Sequence, residues 1–519
     1  MRFIILLASL LNLALASTSQ KPLLGSQNEY GHSIASATEN ANLIFNAVHS
    51  SMRQWGSSIQ HNGMSFFPAY IPEGTLLYHG NRIPEIPIGP EWIAFEIPHA
   101  EMFAVGWRVK RPQPPGDGDD DKVEVSDEGY VDLRKISPNQ LWTLDEPEYE
   151  YIPGYLHIYK ANRPLKVLYL DGMAAGNSDR GTMDSQDILL LNFTGGVWDE
   201  RGRAAELCNL AKDIGVEGFV RMECGFELIK CDFSEGLTFI SHKQRPNIQK
   251  SEGFNTMFLF EFVREIGSRY FGIGAGRVLL DYSSMVSAFF YPANLSNPHP
   301  DPGQSKLPRL VKSDDNVLKQ MRSDVRDAVI DSNSNVGIDW QGVADMIVKR
   351  FASRLQFLAT DMDQEKLLSE VNMLVNTFID YGTHDEQDPV EVCALHYLQP
   401  VSPHTEQDHL IQAAFKTVTH KICDTLNEVR KIVLQKREDE NAVDVDDASL
   451  EVQLIRELNS WLDWPDWTTC GVCAVDEVCF IAVFPYGTEE DHYLPQCRNS
   501  EQLFKRLRSR DNYWMPRQR

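Results

Sequence analysis

The sequence predicts an α+β protein with three parts: a mixed-sheet core, a mainly α-helical domain and a small Cys-rich tail. Three observations carry that prediction. Short apolar runs bounded by Gly and Pro crowd the first half of the chain. Long stretches with apolar residues at i, i+3 and i+4 fill residues 313–462. Cys470, Cys473, Cys479 and Cys497 then cluster around one apolar run near the end. The chain has 519 residues, long for one core, so more than one domain is expected. The boundaries read as 17–300 for the α+β domain, 301–463 for the helical domain and 464–519 for the tail with its basic C-terminus.

Residues 1–16 read as a secretory signal peptide. Arg2 precedes an apolar run from Phe3 to Leu15, and Ala14-Leu15-Ala16 is a small-x-small cleavage signature. The run is too short to span a bilayer, which needs about 20 residues. The expectation is a secreted, extracellular protein that leaves the membrane once the signal is cleaved. Two acceptor sequons, at Asn192 and Asn294, fit that route as glycosylation sites. Nine cysteines in an oxidising compartment should be mostly bridged, with the odd one left over. A net charge of −25 argues against nucleic acid and anionic membrane as partners, since both would be repelled.

Along the chain, Asn42 to Trp55 has helical spacing. The stretch from Gly74 to Ala104 holds two β-type runs, Thr75-Leu76-Leu77-Tyr78 and Glu91-Trp92-Ile93-Ala94-Phe95. Pro98 then sits where a first helical turn tolerates proline, followed by Ala100, Phe103 and Ala104. Together they predict a crevice with His79 at its edge. Pro112 to Tyr130 is an acidic insertion, read as solvated rather than as a calcium loop because its spacing is not that of an EF-hand. Gly154 to Asp171 predicts two strands around Asn162-Arg163-Pro164, the second one central. Gly172 to Gln186 reads as a polar loop with the length of a lid. Asp171, Asp184 and Asp187 near it have the donors for a metal, but read better as caps.

Arg203 to Lys212 predicts a helix stopped near Gly215, and Phe226-Glu227-Leu228-Ile229 a strand. Alternation on that strand places Glu227, Ile229 and Cys231 on one face. Gly272 to Gly276 lacks the preceding strand of a dinucleotide loop and reads as a turn. Pro292 to Pro308 forms a linker. Helices are expected over Asn316–Ile330, Trp340–Ala359, Gln364–Tyr381, Gln407–Gln435 and Leu450–Leu462, with starts capped at Asp339 and at Ser402-Pro403. The tail cysteines could hold zinc, but secretion favours disulfides.

The motifs Tyr78-His79-Gly80 and Phe226-Glu227 give the chain a resemblance to ADP-ribosyltransferase-like proteins of the branch whose first motif is Tyr-His-Gly. The chain as a whole also resembles a family of secreted fungal proteins without an assigned function. The transferase resemblance covers about residues 70–240 and implies an ADP-ribosyltransferase-like core. By that resemblance Glu227 stabilises an oxocarbenium-like transition state and His79 bonds the adenosine-side ribose. Tyr78, His79, Gly80, Trp92 and Phe95 would form the NAD site, with Trp92 or Phe95 stacked on nicotinamide. Glu223 competes with Glu227 for the carboxylate role. NAD is then a substrate, no metal is expected, and the partner is a protein acceptor. The alternative is a noncatalytic binding or host-interaction protein on a degenerate core of this kind. No Gly-x-Ser-x-Gly elbow or HExxH pattern points to an esterase or zinc protease.

Overall fold

The computed structural model describes residues 28–110, 130–132, 149–196, 198–246, 252–267, 276–332, 337–382, 388–438, 449–507 and 511–514. The signal peptide, most of the acidic insertion, all of the Gly272–Gly276 turn but Gly276, and the last five residues of the basic C-terminus fall outside them.

The strands follow the apolar runs. They are β1 (Ser65–Ile71), β2 (Leu76–Asn81), β3 (Glu91–Ala94), β4 (Val105–Lys110), β5 (Tyr130–Asp132), β6 (Tyr149–Pro153), β7 (Tyr155–Ala161), β8 (Leu165–Leu170), β9 (Gly218–Glu223), β10 (Gly225–Lys230) and β11 (Leu237–Gln244). Two-residue strands β12 (Leu279–Leu280) and β13 (Val286–Ser287) pair with β1. The main sheet has ten strands in the order β11-β7-β2-β3-β10-β9-β8-β1-β12, with β13 also on β1. It is mixed: β8 and β9 run parallel and the other neighbours antiparallel. As alternation predicted, β8 is central. Strands β4, β5 and β6 form a separate small sheet.

Several helices start or stop at capping residues. Asp199 accepts a bond from the Gly202 amide at the start of the helix Glu200–Ile214, and Gly215 ends it with φ +73°. Asp339 caps Trp340–Leu358 through the Gly342 amide. Three expectations change. The helix predicted over Asn42–Trp55 is two helices, Ala41–Ser50 and Gln54–Ile59, parted at Met52 with φ +56°. Helix Gln364–Val375 stops short of Tyr381 and tightens into a single turn at Asn376–Phe378. The longest helix, Glu406–Glu438, is not capped by Ser402-Pro403. Its first turn is closed by Thr405 and Asp408, whose side chains accept from each other's end of the turn.

The helical segment packs on the sheet and shares its core. One apolar cluster runs from Phe66, Phe67 and Leu168 in the sheet to Trp340, Phe351 and Phe415 in the helices. Helix Glu406–Glu438 lies against Ala41–Ser50, with the Phe45 ring tilted against Phe415 at 4.8 Å between ring centres. Four disulfides are present: Cys208–Cys231, Cys393–Cys423, Cys470–Cys479 and Cys473–Cys497. The tail cysteines are therefore bridged, and the odd thiol, Cys224, is buried. In the tail, β14 (Glu477–Phe480) pairs with β15 (Gln496–Asn499). No helix among the described residues is long and apolar enough to cross a membrane.

Candidate functional site

Strands β2, β3 and β10 are neighbours, and a cleft of about 560 Å³ opens along them. That volume is in the range of small-molecule sites, roughly 300–1,000 Å³. Tyr78, His79 and Gly80 from β2, Trp92 from β3, Glu227 from β10, and Glu223 and Arg221 from β9 all line it. Residues far apart in sequence are thus brought onto one wall. Phe95 is not brought there. It follows β3 out of phase with Trp92, is 1% exposed, and belongs to the main apolar core.

Register explains the arrangement. Ala94 pairs with Tyr78 on one side and Glu227 on the other, and Glu227 pairs with Arg221. Paired residues share a face, so Tyr78, Ala94, Glu227 and Arg221 point the same way. His79 has the opposite phase. Its ring packs against His157 and Phe233, while Nδ1 reaches the Trp92 carbonyl at 2.6 Å and ties β2 to β3 where they begin to part. Burial lowers the His79 pKa, so the imidazole is neutral. Nδ1 then donates to that carbonyl, and Nε2 is left as an acceptor.

Gly80 is there because the helix Ile97–Phe103 lies so close. A Cβ on Gly80 would sit 2.0 Å from the Ala100 carbonyl oxygen and 2.6 Å from the Ala104 amide nitrogen. The small residue that admits the helix is therefore Gly80 as much as Ala100 or Ala104.

Glu227 is 5% exposed and bonded to Arg221 at 2.7 Å. Arg221, itself buried, also holds Glu200 at 2.9 Å and Gln186 at 3.1 Å. Glu200 in turn meets Arg203, which grips Asp187 with bonds of 2.7 and 2.9 Å. Alternating charges thus run in one chain from Asp187 to Glu227. Burial pushes the Glu227 carboxyl up to about 7 against the pull of Arg221. Arg221 is held above its ordinary range by Glu200 and Glu227 despite its own burial.

His99, on the helix behind the cleft, is fully buried with Nε2 3.4 Å from Glu223. Burial disfavours its protonation. The contact with Glu223 and the charges of Glu223 and Glu227 outweigh this and raise its pKa. One donor atom each from His99, Glu223 and Glu227 lie within 4.8 Å of one another. At the mouth, Arg201 lies over the Trp92 ring at 5.7 Å and bonds Glu91 at 2.9 Å.

Other sequence candidates go elsewhere. The Gly172–Gln186 segment is mostly buried and does not behave as an open lid. Asp184 bonds Arg309 and the Leu310 amide, and Asp187 bonds Arg203, so the three aspartates do not converge. Asn192 and Asn294 are both exposed. Sequence reasoning passed over Arg221, Glu200 and His99. The signal for Arg221 lay in the one-residue reversal at Cys224, which sets residue 221 opposite 227.

The site belongs to an α+β protein with a cleft on one half of a mixed sheet. Residues 27–255, which contain every lining residue named above, match the family model of the YPL277C N-terminal domain. The chain is similar to the uncharacterized protein YOR389W of Saccharomyces cerevisiae, 25% identical over 471 residues, covering 76% of this chain and 72% of that one. It is also similar to the uncharacterized protein YPL277C of the same yeast, 26% identical over 405 residues, covering 64% and 77%. These matches support an uncharacterised fungal protein family. No solved structure matches the chain.

Proposed function

We propose that the cleft binds NAD and breaks the bond between nicotinamide and its ribose. The observation that carries the reading is that three adjacent strands bring His79, Trp92 and Glu227 to one cleft. This is the set implied by the transferase-like resemblance. Trp92 offers an aromatic surface for the nicotinamide ring. His79 offers Nε2 to a ribose hydroxyl. Glu227, fixed by Arg221, faces the positive charge that builds on the ribose as the bond lengthens.

Glu227 must be ionised for that part. Its carboxyl titrates near 7, so the rate of nicotinamide release is expected to rise with pH through neutrality. The experiment is nicotinamide release from NAD by purified protein beside Glu227→Gln. The expected loss is about 100-fold or more, as for other removals of transition-state charge stabilisation. No release by the wild type, with no NAD binding, would leave the noncatalytic binding protein as the reading.

A further inference from the structure

The reaction proposed above needs a nucleophile, and the cleft has a place for one. Glu223 ends β9 and Gly225 begins β10 after a one-residue turn. Gly225 has φ +101°, and a Cβ there would sit 2.9 Å from His99 Nδ1 and 2.6 Å from Ile266. The glycine therefore does two things: it turns the chain back and leaves room for the imidazole. His99 is thereby pressed against the hairpin with Nε2 facing Glu223. Nδ1 is buried with no hydrogen-bond partner among the described residues.

The donor atoms of His99, Glu223 and Glu227 lie within 4.8 Å of one another. Polar atoms so spaced share one water at ordinary hydrogen-bond lengths of about 2.8 Å, and three partners are what a held water needs. The three groups differ in exposure: the Glu223 side chain is 20% exposed, His99 2% and Glu227 7%. Glu223 is thus the one with access to solvent, and Glu227 is already engaged by Arg221.

We propose that this triangle holds the hydrolytic water, with Glu223 as its base and His99 as a positioning residue, which makes the site an NAD glycohydrolase. The inference rests on the NAD reading given above. In the step, the water oxygen bonds to C1′ of the nicotinamide ribose as the C1′–N bond breaks. The electron pair of that bond returns to the pyridinium ring, which leaves as neutral nicotinamide. The water proton passes to the Glu223 carboxylate and then to solvent. NAD and water give ADP-ribose, nicotinamide and one proton.

The test measures nicotinamide release, NAD KM and melting temperature for wild type, Glu223→Gln, Glu223→Ala and His99→Gln. Glu223→Gln is expected to lose about 100-fold in kcat with KM unchanged, the usual scale for a lost general base. Added formate should restore part of the rate to Glu223→Ala. His99→Gln should lose about 10-fold in kcat, also without a change in KM. Wild-type release that persists in Glu223→Gln would sink this inference alone. So would loss of activity that formate does not rescue and that follows the melting temperature. Tight binding of Zn²⁺ or Mn²⁺ by calorimetry, abolished by His99→Gln, would make the triangle a metal site instead. Absence of release from the wild type would overturn the NAD reading and this one with it.

Discussion

Strands β8 and β10 are both interior strands of the same sheet, and they spend their burial differently. In β8, Leu165, Val167, Leu168, Tyr169 and Leu170 are all 0% exposed, and the one charge, Lys166, is only half-buried with Nζ on the Ser332 carbonyl at 3.1 Å. In β10, Glu227 and Lys230 are 5% and 1% exposed among equally buried neighbours. Lys230 reaches Glu217 at 3.4 Å and Glu227 reaches Arg221. Apolar residues at those two positions would fold at least as well, because a buried ion pair repays its desolvation only with excellent geometry. Of the two charges, Glu227 lines the cleft and Lys230 does not.

Removing one partner of the buried charges gives the largest expected effect. Arg221→Leu leaves Glu227 buried without its cation, while Glu200 keeps Arg203, and should cost about 3–5 kcal/mol in urea unfolding. A loss below about 1 kcal/mol would mean that the carboxylates find water, and the contrast between the strands would soften. On the apolar side, Leu168→Ala should cost about 2–5 kcal/mol by leaving a cavity. It should leave nicotinamide release per folded molecule unchanged. A fall in that rate would show that the two strands are not separable.

A smaller effect comes from buried histidines away from the cleft. Burial holds His61 down to about 3 and His49 to about 4. Both folded-state values lie below the unfolded 6.5, so their contribution is present above pH 6.5. It is lost as pH falls toward 4 for His49 and toward 3 for His61. Each takes up at most one proton on unfolding, a slope of about 1.4 kcal/mol per pH unit. His61 bonds Asn62 at 2.6 Å and the Tyr513 hydroxyl at 2.9 Å, which ties the described C-terminal residues to the core. His61→Gln should flatten the acid limb of the stability curve between pH 6 and 4. An unchanged limb would place the acid sensitivity elsewhere.

Much of the fold was legible because its signals are local. Caps such as Asp199 and Asp339 set helix starts within a few residues, and period-two alternation found β8 and β10. Glu227 was singled out because the transferase-like resemblance asks for a glutamate on a later strand. Arg221 and His99 were not, because their roles depend on register and on a helix crossing behind the sheet. Register is a pairing between strands, and a single strand does not carry it. Phe95 lies past the end of β3 and packs into the main apolar core, so it stays out of the cleft. Thr405 and Asp408 displaced Ser402-Pro403 because side chains nearer the first helical amides reach them better.

The proposed NAD site lies on the wall formed by β2, β3 and β10. Calorimetric titration of NAD into Glu227→Gln tests it most directly, because that variant should bind without consuming the ligand. One molecule is expected to bind per chain, with affinity lowered about 10-fold by adding Trp92→Ala. No binding, or binding that ignores Trp92, would contradict it.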